Sequence, residues 1–303
     1  MRRVGSGAII NDQKGGSSVN HQIVNLLPGL YFVATPLGTA RDITLRALDV
    51  LASADLIAAE DTRSLRRLME IHGVPLGDRQ VIAYHDHSGV GARGKLLSAL
   101  EAGKSVAYAS EAGMPLIADP GYGLSKAASE AGHLVTSAPG ATAVTTALAL
   151  AGLPTDAFFF AGFLPNASGA RRKRLEEVAA IPGTLAFYES PKRIAASLAD
   201  MAAVLGNRPA ALCRELTKKF EEVRRLPLAE LASSLEENPV KGEIVVLVDR
   251  LLEAAASDGD IESDLRAALI DNSVKDAASI VSEAHEMPRR KVYQMALKLA
   301  KEA

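Results

Sequence analysis

Apolar positions along the chain fall into two alternating rhythms. Short apolar runs at residues 30–35, 56–59, 81–84, 105–110 and 134–137 read as buried strands. Between them, residues 44–53, 62–71, 93–102, 123–131 and 142–151 carry apolar side chains three and four apart, the spacing of amphipathic helices. Asp42 is the expected cap of the first of these helices. Strands that are apolar throughout and alternate with helices imply a parallel sheet covered on both faces. Gly152-Leu153-Pro154-Thr155-Asp156 then interrupts the pattern. A second set follows, with strands at 157–162, 184–189, 210–214 and 243–248 and helices at 171–180, 194–205 and 228–237. The charged alternation at 218–226 predicts an antiparallel hairpin around Thr217. After a polar linker at 257–260, residues 261–303 read wholly as short helices. The expected organisation is an unstructured tail at 1–27, an α/β domain at 28–153, a second α/β domain at 154–250 and a helical segment at 258–303.

Composition narrows the class. Apolar residues make up 48% of 303 residues and charged residues 23%, enough for a sizeable core. A net charge of −2 gives no global attraction to nucleic acid, so RNA contact has to come from local basic clusters. The lone Cys213 excludes an internal disulfide framework and a cysteine-rich zinc site, and fits a reducing, cytoplasmic setting. No run approaches the roughly 18 apolar residues of a membrane span. No metal site is expected, because His85 and His87 lie two apart without a third ligand in view.

The stretch Gly89-Val90-Gly91-Ala92-Arg93-Gly94 matches a dinucleotide fingerprint and nearly spells a P-loop. Its first glycine stands five residues beyond Tyr84, so the tight strand-to-helix turn is missing, and Leu96 occupies the place of a magnesium-binding hydroxyl. A nucleotide-dependent oxidoreductase or hydrolase is therefore the weaker alternative, and a glycine-rich loop before a helix the stronger.

Three unusual loops each follow a strand of the first set: Pro36-Leu37-Gly38, Glu111-Ala112-Gly113-Met114-Pro115 and Pro139-Gly140-Ala141-Thr142. Any one of them could be an ordinary turn. All three at the carboxyl edge of one sheet point to a ligand site. The acids Glu60, Asp61, Glu111 and Asp119 cluster near the same edge, with Arg41 and Arg63 as their alternative ion-pair partners.

In this order the motifs resemble the tetrapyrrole methylase superfamily, and within it the bacterial small-subunit rRNA (cytidine-2′-O)-methyltransferases. The carriers are Ala34-Thr35-Pro36-Leu37-Gly38, Ala59-Glu60-Asp61-Thr62-Arg63, His85-Asp86-His87, the run from Ser110 to Gly121, Pro139-Gly140, Gly162-Phe163-Leu164-Pro165, Phe187-Tyr188-Glu189-Ser190-Pro191, Arg214-Glu215-Leu216-Thr217-Lys218 and Lys241-Gly242-Glu243. The chain departs from the usual pattern at Thr39, Glu111, Met114 and Ala118.

The resemblance implies two α/β domains with S-adenosylmethionine in the cleft between them, a homodimer, and a cytidine ribose of the small-subunit decoding centre as substrate, as free rRNA or in the assembled subunit. It implies that Pro36, Gly38, Gly113, Met114, Pro115, Ile117, Pro139, Gly140, Ala141 and Thr142 hold the cofactor, with Phe163, Tyr188 and Leu212 on its nucleoside side. A methyl acceptor hydroxyl needs a proton acceptor, and Asp119, Asp61, Glu60 and His85 are the candidates. RNA contacts are expected from Arg63, from the basic run Arg171-Arg172-Lys173-Arg174, whose charges Glu176 and Glu177 could instead offset, and from Arg289 and Arg290 in a helix-turn-helix-like tail. The alternatives are methylation of a tetrapyrrole or other small molecule, and a non-enzymatic RNA-binding module.

Overall fold

The computed structural model describes residues 20–85, 90–251, 258–285 and 287–302. Two compact units result, Met1–Arg250 and Leu251–Ala303. The first unit contains two five-stranded sheets.

The first sheet is built from β1 (Gly29–Val33), β2 (Leu56–Ala59), β3 (Val81–Ala83), β4 (Ser105–Ala109) and β5 (Val135–Ala138), in the order β3-β2-β4-β1-β5. Every pair is parallel, for example Leu30 opposite Val106 on one side and Val135 on the other. Helices α1 (Leu45–Ser53) and α2 (Thr62–Ile71) pack against one face, where Val33, Ile57 and Ala109 meet Leu48, Leu51, Leu65 and Met69. Helices α3 (Val90–Glu101) and α4 (Tyr122–Glu130) cover the other, where Phe32 and Tyr108 meet Leu96, Leu100 and Leu124. Double coverage explains why these strands read as continuous apolar runs. Because all five strands point the same way, the loops after β1, β2, β4 and β5 emerge on one rim.

Several local expectations need correction. Helix α1 is capped by Thr44, whose hydroxyl accepts from the Ala47 N–H, and Asp42 lies instead in a short 3-10 turn at Ala40–Asp42. The expected tail is anchored before residue 27: the Gln22 N–H donates to Asp49 and the Val24 N–H to Ser53, both on α1. Gly91 and Gly94 lie inside α3 with open space around them, so they form no phosphate-cradling loop. Residues 86–89, including His87 and the first glycine of that pattern, fall outside the described residues.

α5 (Ala143–Ala151) ends at Gly152, which takes the left-handed conformation (φ 72°) that favours glycine. The second sheet follows, ordered β6-β7-β10-β8-β9 from β6 (Phe158–Phe163), β7 (Thr184–Glu189), β8 (Pro209–Arg214), β9 (Glu222–Pro227) and β10 (Ile244–Val248). β6 and β7 are parallel, whereas β10 runs antiparallel to both β7 and β8. The hairpin expected around Thr217 is present as the antiparallel β8–β9 pair. α6 (Ser168–Val178), α7 (Ile194–Leu205) and α8 (Leu228–Glu237) bury one face through Leu175, Leu198 and Leu231. The opposite face packs on α5, where Val144, Ala147 and Leu148 contact Ala186, Ala211, Cys213 and Val245.

The basic run takes a different place from the one expected. Helix α6 begins at Ser168, so Arg171 falls one turn inside it, only 4% exposed. Its guanidinium donates to Asp200 on α7 and to the Pro165 and Asn166 carbonyls. Arg174 pairs with Glu177 at 2.9 Å, leaving Arg172 and Lys173 exposed. Arg171 is therefore a structural residue, because a buried guanidinium needs all its polar partners inside the protein.

In the second unit, α9 (Asp258–Asp271), α10 (Val274–Ala284) and α11 (Arg289–Glu302) enclose a small core of Ile261, Leu265, Ala278, Val281, Val292, Ala296 and Leu299. Arg289 and Arg290 open α11 and are exposed.

Candidate active site

The three proline- and glycine-bearing loops converge. Thr35 after β1 and Gly113 after β4 form a reciprocal backbone pair, with N–H to O distances of 2.9 and 3.0 Å. Gly113 has φ +85°, and a Cβ there would lie 3.2 Å from the Leu37 side chain and 3.5 Å from the Ala141 carbonyl. One glycine thus touches the loops after β1 and β5 while standing in the loop after β4. A Cβ on Gly140 would approach that of Ala34 to 2.8 Å, so the third loop also needs glycine to seat itself. Two non-glycine residues in the loop after β4, Leu116 and Ala118, hold left-handed backbone (φ 72° and 61°). Strain of this kind costs about 1–3 kcal/mol per residue and tends to cluster at ligand sites.

Above these loops lies a cavity of about 340 Å³. The first half contributes Glu60, Glu111, Gly113, Met114, Ile117, Asp119 and Thr142. The second half closes it with Phe163 at the end of β6, the Tyr188–Pro191 corner after β7, Leu216, and Glu243–Val245 at the start of β10. Phe163 and Tyr188 meet edge to face at 5.6 Å, offering an apolar wall beside the polar loops. All five charged residues of the lining, Glu60, Glu111, Asp119, Glu189 and Glu243, are acidic.

Each acid has a distinct setting. Glu189 is buried and satisfied: it accepts from Ser197 (2.6 Å), Arg193 (3.1 Å) and the Ser190 N–H (2.8 Å). Glu243 takes Lys218 at 3.1 Å. Burial works against the Lys218 charge, yet Glu243 and Glu215 hold it above the usual lysine range. Glu111 is raised, first by burial and then by Asp61, Glu60 and Glu243. Asp119 is pushed up to about 7, mostly by burial and further by Glu60, Glu111 and Glu243. A carboxylate near neutrality in a cavity can exchange a proton with a bound hydroxyl at physiological pH.

Other expected residues stand elsewhere. Asp61 is the cap of α2, its carboxylate accepting from the Arg63 N–H (2.7 Å) and the Ser64 N–H (3.1 Å), bonds that lower its pKa. It does not line the cavity. Asp61→Ala is expected to lower Tm by about 2–4 °C through loss of the cap while leaving turnover at permissive temperature near wild type; thermal melts and initial rates check this. His85 is exposed beyond the end of β3 and also absent from the lining. Leu212 is fully buried among α6, α7 and α8, on the face of the second sheet away from α5. Pro115, Pro139, Gly140 and Ala141 shape the loops from behind the lining. Gly38 lets the two halves meet, because a Cβ there would lie 2.3 Å from Lys218 Cγ. It lines a neighbouring groove with Pro36 and Arg63.

The sequence reading did not assign Glu189, Ser190, Pro191, Leu216 or Glu243 to the site. Glu189–Pro191 sits at a strand end within a motif of the resemblance, a placement that could have flagged it. Glu243 also lies within a motif of the resemblance, but at the start of its strand, where a parallel sheet would put it on the opposite rim.

Comparison with known proteins follows the same lines. Residues 29–232 match the family Tetrapyrrole (Corrin/Porphyrin) Methylases, and residues 255–300 match the RsmI C-terminal HTH domain. The chain is 45% identical over 277 residues to a Ribosomal RNA small subunit methyltransferase I of Mesorhizobium japonicum, covering 90% of this chain and 93% of that one. It is 44% identical to the Vibrio cholerae protein of the same name, covering 92% and 97%. Among solved structures, the methyltransferase CobJ aligns with TM-score 0.58 at 20% identity, over 74% of this chain and 94% of that one. A Thermus thermophilus uroporphyrin-III C-methyl transferase complexed with S-adenyl homocysteine aligns with TM-score 0.51 at 18% identity, over 73% and 97%.

Proposed function

This chain belongs to the tetrapyrrole methylase family, alongside the small-subunit rRNA methyltransferases that it matches over nine-tenths of its length, and from that premise we propose that it methylates small-subunit ribosomal RNA. The methyl donor is S-adenosylmethionine, and the acceptor is the 2′-hydroxyl of a cytidine in the decoding centre. The observation that carries this reading is the convergence of three strand-end loops beneath an acidic cavity walled by two aromatic rings. The residues present fit the donor. Glu60, Glu111 and Asp119 favour a cation, close-packed glycine loops expose backbone to its amino-acid part, and Phe163 with Tyr188 suits an aromatic base.

S-adenosylmethionine supplies an electrophilic methyl group on a sulfonium, so no metal is required for activation. The protein's task is to align the hydroxyl and take its proton. Alignment can account for ~7–11 kcal/mol of barrier reduction at best. With the donor bound, its sulfonium would supply the methyl group and leave as the neutral thioether, and Asp119 would take the proton of the acceptor hydroxyl. Burial first, and then Glu60, Glu111 and Glu243, favour this transfer by raising the basicity of the Asp119 carboxylate. Lys218, held between Glu215 and Glu243, fixes the far wall of the cavity.

The relatives named for ribosomal RNA are over 40% identical across nearly the whole chain, and the helical unit matches a domain found with them. Both support RNA over a tetrapyrrole as acceptor. The test is incubation with tritiated S-adenosylmethionine and small ribosomal subunits from cells lacking the activity. Label should enter the small-subunit RNA, and alkaline hydrolysis should leave it in an alkali-stable dinucleotide, as a 2′-O-methyl ribose requires. Label on a base, or no incorporation, would sink the reading.

A further inference from the structure

A groove of about 430 Å³ lies along α2. Glu111 lines both it and the active-site cavity, so the two are adjacent at that side chain. One wall is α2, presenting Arg63, Ser64, Arg67, Leu68 and Ile71; the other is the segment after β1, through Pro36, Gly38 and Ala40. The two walls are tied together by His72 Nε2 against the Ala40 carbonyl (2.8 Å), and Thr35 Oγ1, donating to the Ser110 carbonyl (3.3 Å), ties the segment after β1 to the loop after β4. The groove is therefore built into the fold.

Its charge is opposite to that of the cavity. Arg63 has a side chain 92% exposed, with Asp61 only at 3.8 Å. Arg67 is 67% exposed and paired with Glu70, itself 70% exposed. Surface pairs of this kind contribute about 0–1 kcal/mol, so a phosphate can displace the partner. The first backbone amides of α2 are already taken by Asp61, which leaves the two guanidinium groups as the anion-binding elements. The cavity's acids would repel a phosphodiester. A ribose placed at the shared Glu111 edge thus has its flanking phosphates directed into the basic groove, while exposed Ile71 and half-buried Leu68 offer an apolar strip for sugar or base. A target nucleotide must also leave its stack to reach the cavity, which calls for a single-stranded path beside it.

Resting on the function proposed above, we infer that the α2 groove is the track for the single-stranded RNA flanking the target nucleotide, with Arg63 and Arg67 contacting its phosphates. This moves the principal phosphate contacts of the catalytic unit from α6 to α2.

The test pairs two probes. With small subunits as substrate, R63Q/R67Q should raise KM and leave the dissociation constant for S-adenosylmethionine unchanged. With a fluorescein-labelled single-stranded RNA dodecamer, it should weaken binding about fifteenfold at 0.15 M salt and lower the log–log salt slope by about 1.4, the expectation for two lost single-strand phosphate contacts. R63K/R67K should restore most of the slope. Wild-type affinity and slope in R63Q/R67Q would overturn the proposal, as would a loss found only in R172Q/K173Q. If wild-type protein binds the dodecamer through these arginines yet leaves small subunits unmethylated, the functional reading falls while the groove stands. If methylation is intact and R63Q/R67Q behaves as wild type, the groove alone falls.

Discussion

Asp119→Asn is expected to lower the methyl-transfer rate by about 10²–10⁴-fold, the usual worth of a positioned proton acceptor, with donor affinity changing far less. The wild-type rate should rise with pH up to about 7 and then level, because only the ionised carboxylate can accept the hydroxyl proton and burial, with Glu60, Glu111 and Glu243, sets its pKa near that value. The variant should lose this limb of the profile as well as the rate. A second consequence has the opposite sign. Between the ordinary aspartate value of 3.8 and about 7 the native carboxyl keeps a proton that the unfolded chain has released. Stability then falls as pH rises through that window. Asn removes the titration, so Asp119→Asn should melt higher than wild type at pH 8 and gain less, or nothing, at pH 4. Single-turnover rates against pH, beside melting curves at the two pH values, separate a proton acceptor from a bystander. An unchanged rate and profile in the variant would leave alignment as the whole of catalysis.

The second large effect concerns stability. Arg171→Ala should cost roughly 3 kcal/mol, since it removes a buried guanidinium and leaves the Asp200 carboxylate, 14% exposed, with Arg172 at 3.8 Å as its remaining cation, and Tm should fall by about 6–12 °C. Ser168, which already donates to Asp200, offsets only part of the loss. Arg171 also holds the Pro165 and Asn166 carbonyls, just beyond Phe163 at the cavity wall, so donor affinity should weaken in whatever folded protein remains. R171M/D200L, which removes both charges, should recover much of the Tm, because two matched apolar side chains leave no unpaired ion. Salt dependence of RNA binding should be unchanged in both variants, measured below their melting range. A slope that falls by one phosphate contact on losing Arg171 would return this residue to the RNA interface.

Much of the architecture was legible in the chain itself. Residues 56–59, 62–71, 184–189, 194–205 and 228–237 form the elements that their spacing predicts, because helix and strand periods are local properties of the apolar pattern. The three strand-end loops were equally legible, since parallel strands must place their carboxyl ends together. Local spacing says nothing about direction and depth in a mixed sheet. β10 runs antiparallel to β7, which brings Glu243 at its start to the same rim as Glu189 at the end of β7. The resemblance implied a place for Leu212 at the cleft, and the sequence could not check it: β8 is apolar on both faces, and period-two alternation cannot then tell which face a residue takes. Arg171 looks like surface charge in the sequence, and only Asp200, 29 residues away, gives it the partner that lets it be buried. Asp61 and Asp119 are the same residue type near the same edge, and only tertiary environment separates them: backbone amides hold one ionised as a helix cap, while burial among like charges keeps the other's proton near neutrality. Chain order therefore determined the elements and the loops that converge on the cavity, whereas the carboxyl held near neutrality and the arginines that face solvent were decided by non-local packing, because burial and charge proximity exist only once distant segments meet.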